Sequence, residues 1–188
     1  MSKGLDMLRI LIVLILCTTF NGRDLMALTL TSPTFTQGGD IPKEFTCEGG
    51  DQFPGLQWDG APAGTACFVI ICDDPDVPET LRSAVPDLVW DHLVIFNIPT
   101  NIKNIKQGTF ECPKGGTCGT NSWGREDYGG PCPPNPKAHR YFFTLYALDT
   151  TLSLQGSARK KDVLKAIEGH VLDKTVLMGH YLKEEFKR

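Results

Sequence analysis

The stretch from Gly124 to Asp149 constrains the fold of this chain most. It runs Gly124-Arg125-Glu126-Asp127-Tyr128-Gly129-Gly130, then Pro131-Cys132-Pro133-Pro134-Asn135-Pro136-Lys137-Ala138. His139-Arg140-Tyr141 follows and leads into Phe142-Phe143-Thr144-Leu145-Tyr146-Ala147-Leu148-Asp149. Proline fixes φ and lacks a backbone donor, while glycine admits φ > 0, so no regular ladder runs through 124–138. The apolar, aromatic segment after it suits a strand. A stiff loop that delivers a titratable group to a strand mouth makes a ligand site, or else a structural corner with a hydrogen-bonded histidine. These residues alone leave both readings open.

A chain of 188 residues suits one domain, and 41% hydrophobic with 22% charged residues is ordinary for a globular protein. Nineteen glycines and 13 prolines favour a loop-rich β protein over a helical bundle. The net charge of −3 and the lack of a basic, aromatic-studded stripe argue against a nucleic-acid partner.

Residues 1–27 read as a secretory signal peptide. Lys3 and Arg9 border an apolar run from Ile10 to Leu16 that extends to Phe20, and Leu25-Met26-Ala27 fits cleavage after Ala27. A spanning helix needs about 20 apolar residues, so no stable span is expected once the signal is removed. An uncleaved anchor and a lipidated Cys17 are weaker readings, the second because Leu16 is large. The domain is then 28–188, exported to a periplasm or secreted. Its six cysteines permit disulfides. Cys112 and Cys118 flank a flexible turn and form the best local pair. Cys67 and Cys72 lie in an apolar run and read as buried thiols. No Cys-x-x-Cys is present, and no cofactor or metal is indicated.

Along the chain, Leu28–Ser32, Phe45–Cys47, Leu56–Trp58, Ala66–Cys72, Leu88–Asn97 and Thr175–Tyr181 read as further strands. The unbroken apolar run Ala66–Cys72 suggests a central strand buried on both faces. It ends in Asp73-Asp74-Pro75-Asp76-Val77-Pro78. Locally, a solvated acidic turn is the stronger reading, and an aspartate turned into a pocket the weaker. Strict alternation places Trp90, His92, Val94 and Phe96 on one face and Asp91, Leu93 and Ile95 on the other. A histidine in that company reads first as a satisfied core residue. Thr100–Ser122 reads as a long loop. Ser157 is expected to cap a helix from Ala158 to Glu168, with Gly169 at its stop and His170 favoured by its dipole. Lys183–Arg188 reads as a fraying tail.

Three segments together carry a resemblance. Asp74-Pro75-Asp76-x-Pro78, Trp90-x-His92 and Gly130-Pro131 followed by His139-Arg140-Tyr141 resemble the phosphatidylethanolamine-binding protein family, also called Raf kinase inhibitor-like. Asn121-Ser122-Trp123-Gly124-Arg125, Tyr128 to Pro134, Tyr146-Ala147-Leu148-Asp149, Thr46-Cys47 and Glu168-Gly169-His170 look like its bacterial branch. The resemblance implies antiparallel sheets with Greek-key connections and a few peripheral helices. It maps an anion pocket onto Asp74, Pro78, His92, Gly130, His139 and Tyr141. It implies a binding protein for phosphate or a phospholipid head group such as phosphoethanolamine, with histidines and loop amides donating to the anion. Affinity is then expected to rise as pH falls through about 6.5. The alternative is a protein-interaction or inhibitor protein acting through surface loops. A hydrolase comes last, since no serine sits in a nucleophile elbow. Two departures stand out: Asp91, where many members have a second histidine, implies a more acidic pocket mouth, and Asn135–Ala138 replaces a glycine-bearing turn.

Overall fold

The computed structural model describes residues 27–81, 83–85 and 88–187. The expected signal peptide, apart from Ala27, lies outside the described residues. Among the described residues, nine strands and one α-helix build three layers. A small sheet contains β1 (Thr29–Thr31), β3 (Leu56–Asp59) and β6 (Asn104–Ile105) in the order β1-β3-β6. The large sheet contains β2 (Gly39–Asp40), β4 (Cys67–Asp74), β5 (Trp90–Pro99), β7 (Thr117–Cys118), β8 (His139–Leu148) and β9 (Val171–Tyr181). Its order is β2-β9-β8-β4-β5-β7, antiparallel except for the short parallel β2–β9 pair. The third layer is α1 (Lys160–Ala166). No helix among the described residues is long and apolar enough to cross a membrane.

β4 is flanked by β5 and β8 and feeds two cores. Phe68, Ile70 and Cys72 face the small sheet, packing with Leu30, Leu56 and Trp58. Val69 and Ile71 face α1, packing with Val163 and Ile167. The apolar run has no polar alternation because each face meets its own core. Both thiols are buried, and burial pushes the Cys67 thiol up to about 11 and that of Cys72 well above its usual range.

β5 departs from simple alternation. Its pairing with β4 slips between Cys72 and Asp73, which oppose Leu93 and Asp91 and leave His92 as an extra residue. Such a bulge re-aims side chains. Leu93 and Ile95 therefore pack toward the small sheet, Val94 and Phe96 toward α1, while His92 swings to the Tyr141 side, 5.1 Å between ring centroids. A second slip leaves Asn97 at φ 56° and returns Ile98 to the small-sheet core. The expected common face of His92 with Val94 and Phe96 is thus corrected.

Other local expectations also change. Phe45–Cys47 is not a strand, because Lys43–Phe45 is a 3-10 turn whose Thr46 side chain bonds back to the Lys43 carbonyl at 2.7 Å. The helix starts two residues later than expected, with Arg159 rather than Ser157 at its cap. The Asp162 carboxylate accepts the Arg159 N–H at 3.0 Å, and the Ala158 carbonyl is taken by the Thr120 N–H at 2.9 Å. His170 pairs with Asp149 at 2.8 Å rather than serving the helix end alone. In the tail, Glu184–Phe186 forms a 3-10 turn whose first N–H bonds Glu48 at 3.0 Å.

Candidate functional site

The site lies at one end of the large sheet, where β4 ends at Asp74 and where β5 and β8 begin at Trp90 and His139. Period-two alternation puts Asp74 on the Cys72 face of β4, and His139 on the Tyr141 and Phe143 face of β8. The two meet there, with His139 Nδ1 donating to Asp74 Oδ2 at 2.7 Å; both residues are buried. The other Asp74 oxygen accepts the Asp76 N–H at 2.8 Å. The acidic turn is therefore no solvated loop at Asp74, because the His139 ring compensates the buried carboxylate. Beside it, Arg140 clamps Asp76 through Nε at 2.9 Å and a second nitrogen at 2.7 Å. That guanidinium holds the Asp76 carboxyl below the usual range.

His92 enters from β5. Its Nδ1 lies 2.6 Å from the Gly129 carbonyl, and its own carbonyl accepts the Gly129 N–H at 3.1 Å. A carbonyl only accepts, so Nδ1 carries the proton and the ring turns Nε2 outward. Burial pulls the His92 pKa below the usual histidine value; the hydrogen bond to Gly129 and the nearby carboxylates oppose this shift without reversing it.

The proline-dense loop is fastened to the 43–51 turn. Cys47 and Cys132 form a disulfide, the Gly130 N–H donates to Asp51 Oδ1 at 2.8 Å, and the Cys47 N–H donates to the Pro131 carbonyl at 3.2 Å. At Gly130 a Cβ would meet Asp51 Oδ1 and the Phe45 carbonyl at 2.5 Å each, so glycine is required by close approach. Upstream, the buried Asn121 accepts the Trp123 and Arg125 N–H groups at 3.0 Å each and shapes that corner. Cys112–Cys118 is also a disulfide, as expected, and it ties the loop that leads into β7.

These pieces enclose a cavity of about 390 Å³. Asp74, Pro78, His92, Gly130 and His139 all line it, together with Cys47, Asp51, Val77, Leu81, Trp90, Trp123, Arg125, Cys132 and Pro134. The sixth expected residue, Tyr141, is not on the lining. It is fully buried behind His92 with its hydroxyl turned toward the Cys132 main chain, and burial raises its pKa. Asp91 does not acidify the mouth of this cavity either. It faces Lys160 of α1, whose Nζ sits 2.8 Å from Asp91 and 2.9 Å from Asp73. Sequence reasoning missed Asp51, Trp90, Trp123 and Arg125 as wall residues. Trp90 and the 121–125 segment stood in the motifs without a role, and Asp51 in a glycine turn gave no signal. Arg125 pairs with Asp127 at 3.2 Å and lies over the Trp123 ring at 5.6 Å.

The phosphatidylethanolamine-binding protein family model matches residues 31–182. The chain belongs to that family. It is 43% identical over 157 residues to a UPF0098 protein of Methanothermobacter thermautotrophicus, covering 82% of this chain and 98% of that one. It is 38% identical to a UPF0098 protein of Chlamydia pneumoniae, covering 83% and 99%. Among solved structures, a phosphatidylethanolamine-binding protein homolog from Chlamydia trachomatis superposes with a TM-score of 0.77 at 35% identity, covering 85% of this chain and 99% of that one. Escherichia coli YbcL, described as a member of the mammalian PEBP family, superposes with a TM-score of 0.74 at 25% identity, covering 84% and 99%. The mainly β family fold expected from the motifs is thus the fold found.

Proposed function

We propose that this chain is a non-enzymatic binding protein for small phosphate-bearing anions, free or as phospholipid head groups, working outside the cytoplasm once residues 1–27 are removed. The observation that carries the reading is His139 Nε2, which is buried at the cavity wall and has no hydrogen-bond partner among the described residues. Leaving such a nitrogen unpaired costs roughly 1–3 kcal/mol, and a cavity ligand that bonds it removes that cost. Arg125 supplies positive charge at the same cavity, and the indoles of Trp90 and Trp123 suit the organic part of a head group. The sulfurs lining the cavity, Cys47 and Cys132, are joined to each other, so they offer no thiolate nucleophile.

Depressed His92 basicity shifts the pH dependence from the sequence-based expectation. Charge from His92 reaches an anion only below pH 6.5, at the ring's own lowered pKa. Calorimetric titration of the protein with phosphate and phosphoethanolamine at pH 5.5 and pH 8 tests the reading, beside His92→Ala and His139→Ala. Saturable binding, tighter at the lower pH and weakened in both variants, is expected. A folded protein that gives no heat with either anion at either pH refutes it.

A further inference from the structure

We infer that the cavity selects a phosphate that still carries a P–OH group, either inorganic phosphate or a terminal monoester, over sulfate and over phosphodiesters. The inference rests on the anion-binding reading above and narrows its ligand class.

The donors and acceptors on the wall set the choice. Because His92 Nδ1 is committed to the Gly129 carbonyl, the neutral ring offers the cavity a lone pair at Nε2. Burial keeps that ring neutral near pH 7, against the opposing influence of Asp73 and Asp74 on β4 and Asp51 in the 43–51 turn. Tyr141 on β8 packs edge-on against the ring and stays protonated. His139 Nδ1 is likewise committed, to Asp74. The Gly130 amide, which a glycine loop would normally offer an anion, is already given to Asp51. The wall therefore combines the Arg125 guanidinium with at least one imidazole acceptor.

A fully deprotonated oxyanion satisfies only half of that wall. Sulfate and a phosphodiester have acceptor oxygens and no hydrogen, so they set lone pairs against the His92 lone pair. A P–OH group donates to Nε2 while its other oxygens accept from the cationic side. Monoesters keep that proton up to their second pKa, about 6, and inorganic phosphate keeps one well beyond it. Replacing a repulsive contact by a hydrogen bond to a charged ligand is worth about tenfold or more in affinity.

The test is a ligand series on the intact protein at pH 6.5, read by calorimetry. The probes are inorganic phosphate, methyl phosphate, sulfate, dimethyl phosphate and glycerophosphoethanolamine, the last separating a lipid-derived source from a free one. Phosphate is expected to bind at least about tenfold tighter than sulfate and the two diesters, with methyl phosphate, which has lost part of its P–OH at this pH, between them. A smaller ratio for any of the three overturns the inference while leaving the anion-binding reading intact; no binding by all five removes both. In His92→Gln the amide can turn a donor to the ligand, so sulfate is expected to gain on phosphate. A ratio that stays above about tenfold in the folded variant overturns the role of His92. If the variant does not fold, the wild-type series decides.

Discussion

Breaking the Cys47–Cys132 disulfide is expected to destabilise the protein about twice as much as breaking Cys112–Cys118. The first closes a sequence separation of 85 residues and the second a separation of 6. The chain-entropy relation gives about 4.6 kcal/mol for the long loop and about 2.2 kcal/mol for the short one. The short loop lies inside the long one, so its presence shortens the long loop by only a few residues and changes the logarithm little. The measurement is guanidinium denaturation of two double variants, Cys47→Ser with Cys132→Ser and Cys112→Ser with Cys118→Ser, against the oxidised parent. For a domain of this size the long-loop variant should lose roughly 10–18 °C in melting temperature. Equal losses, or a larger loss from the Cys112–Cys118 pair, would refute the loop-closure reasoning and point to structure retained in the unfolded chain.

Three further outcomes follow from single contacts. His92 has its pKa lowered on folding, so the unfolded chain binds more protons below about pH 6.5. Its stability contribution is full above that value and is lost as pH falls toward the folded pKa; urea midpoints at pH 7.5 and pH 5 should diverge less in His92→Gln than in the parent. Gly130→Ala drives a Cβ into the Phe45 carbonyl and the Thr46 backbone, and should cost about 1–3 kcal/mol in urea denaturation while constricting the cavity to anions. Lys160→Met removes the cation between Asp73 and Asp91, which oppose each other in register, and should cost about 2–3 kcal/mol with little effect on phosphate affinity. Equal affinity loss and stability loss in that variant would show that α1 and the cavity are coupled through the sheet.

What the sequence determined by itself was whatever depends on short spacings. The apolar run of β4 and the strand after His139 follow from residue periodicity and backbone chemistry within a few positions, whereas the helix expected to run to Glu168 ends at Ala166. The Cys112–Cys118 pair was legible for the same reason. The resemblance assigned five of the cavity's lining residues to the pocket. The tertiary structure decided everything that required two distant segments to meet. The bulge at His92 depends on how β5 registers against β4, so alternation alone placed that ring on the wrong face. Asp91 turned to Lys160 because it lies on the α1 face of the sheet, and Tyr141, on the same face as His139 but two residues further along β8, is covered by His92. Asp51 and the Cys47–Cys132 bridge became visible only when the proline loop folded back on the 43–51 turn, a contact between residues about 80 apart that no local propensity encodes. The protonation states that matter were set last, since they follow from burial, and burial belongs to the assembled sheet and loop rather than to any segment of the chain.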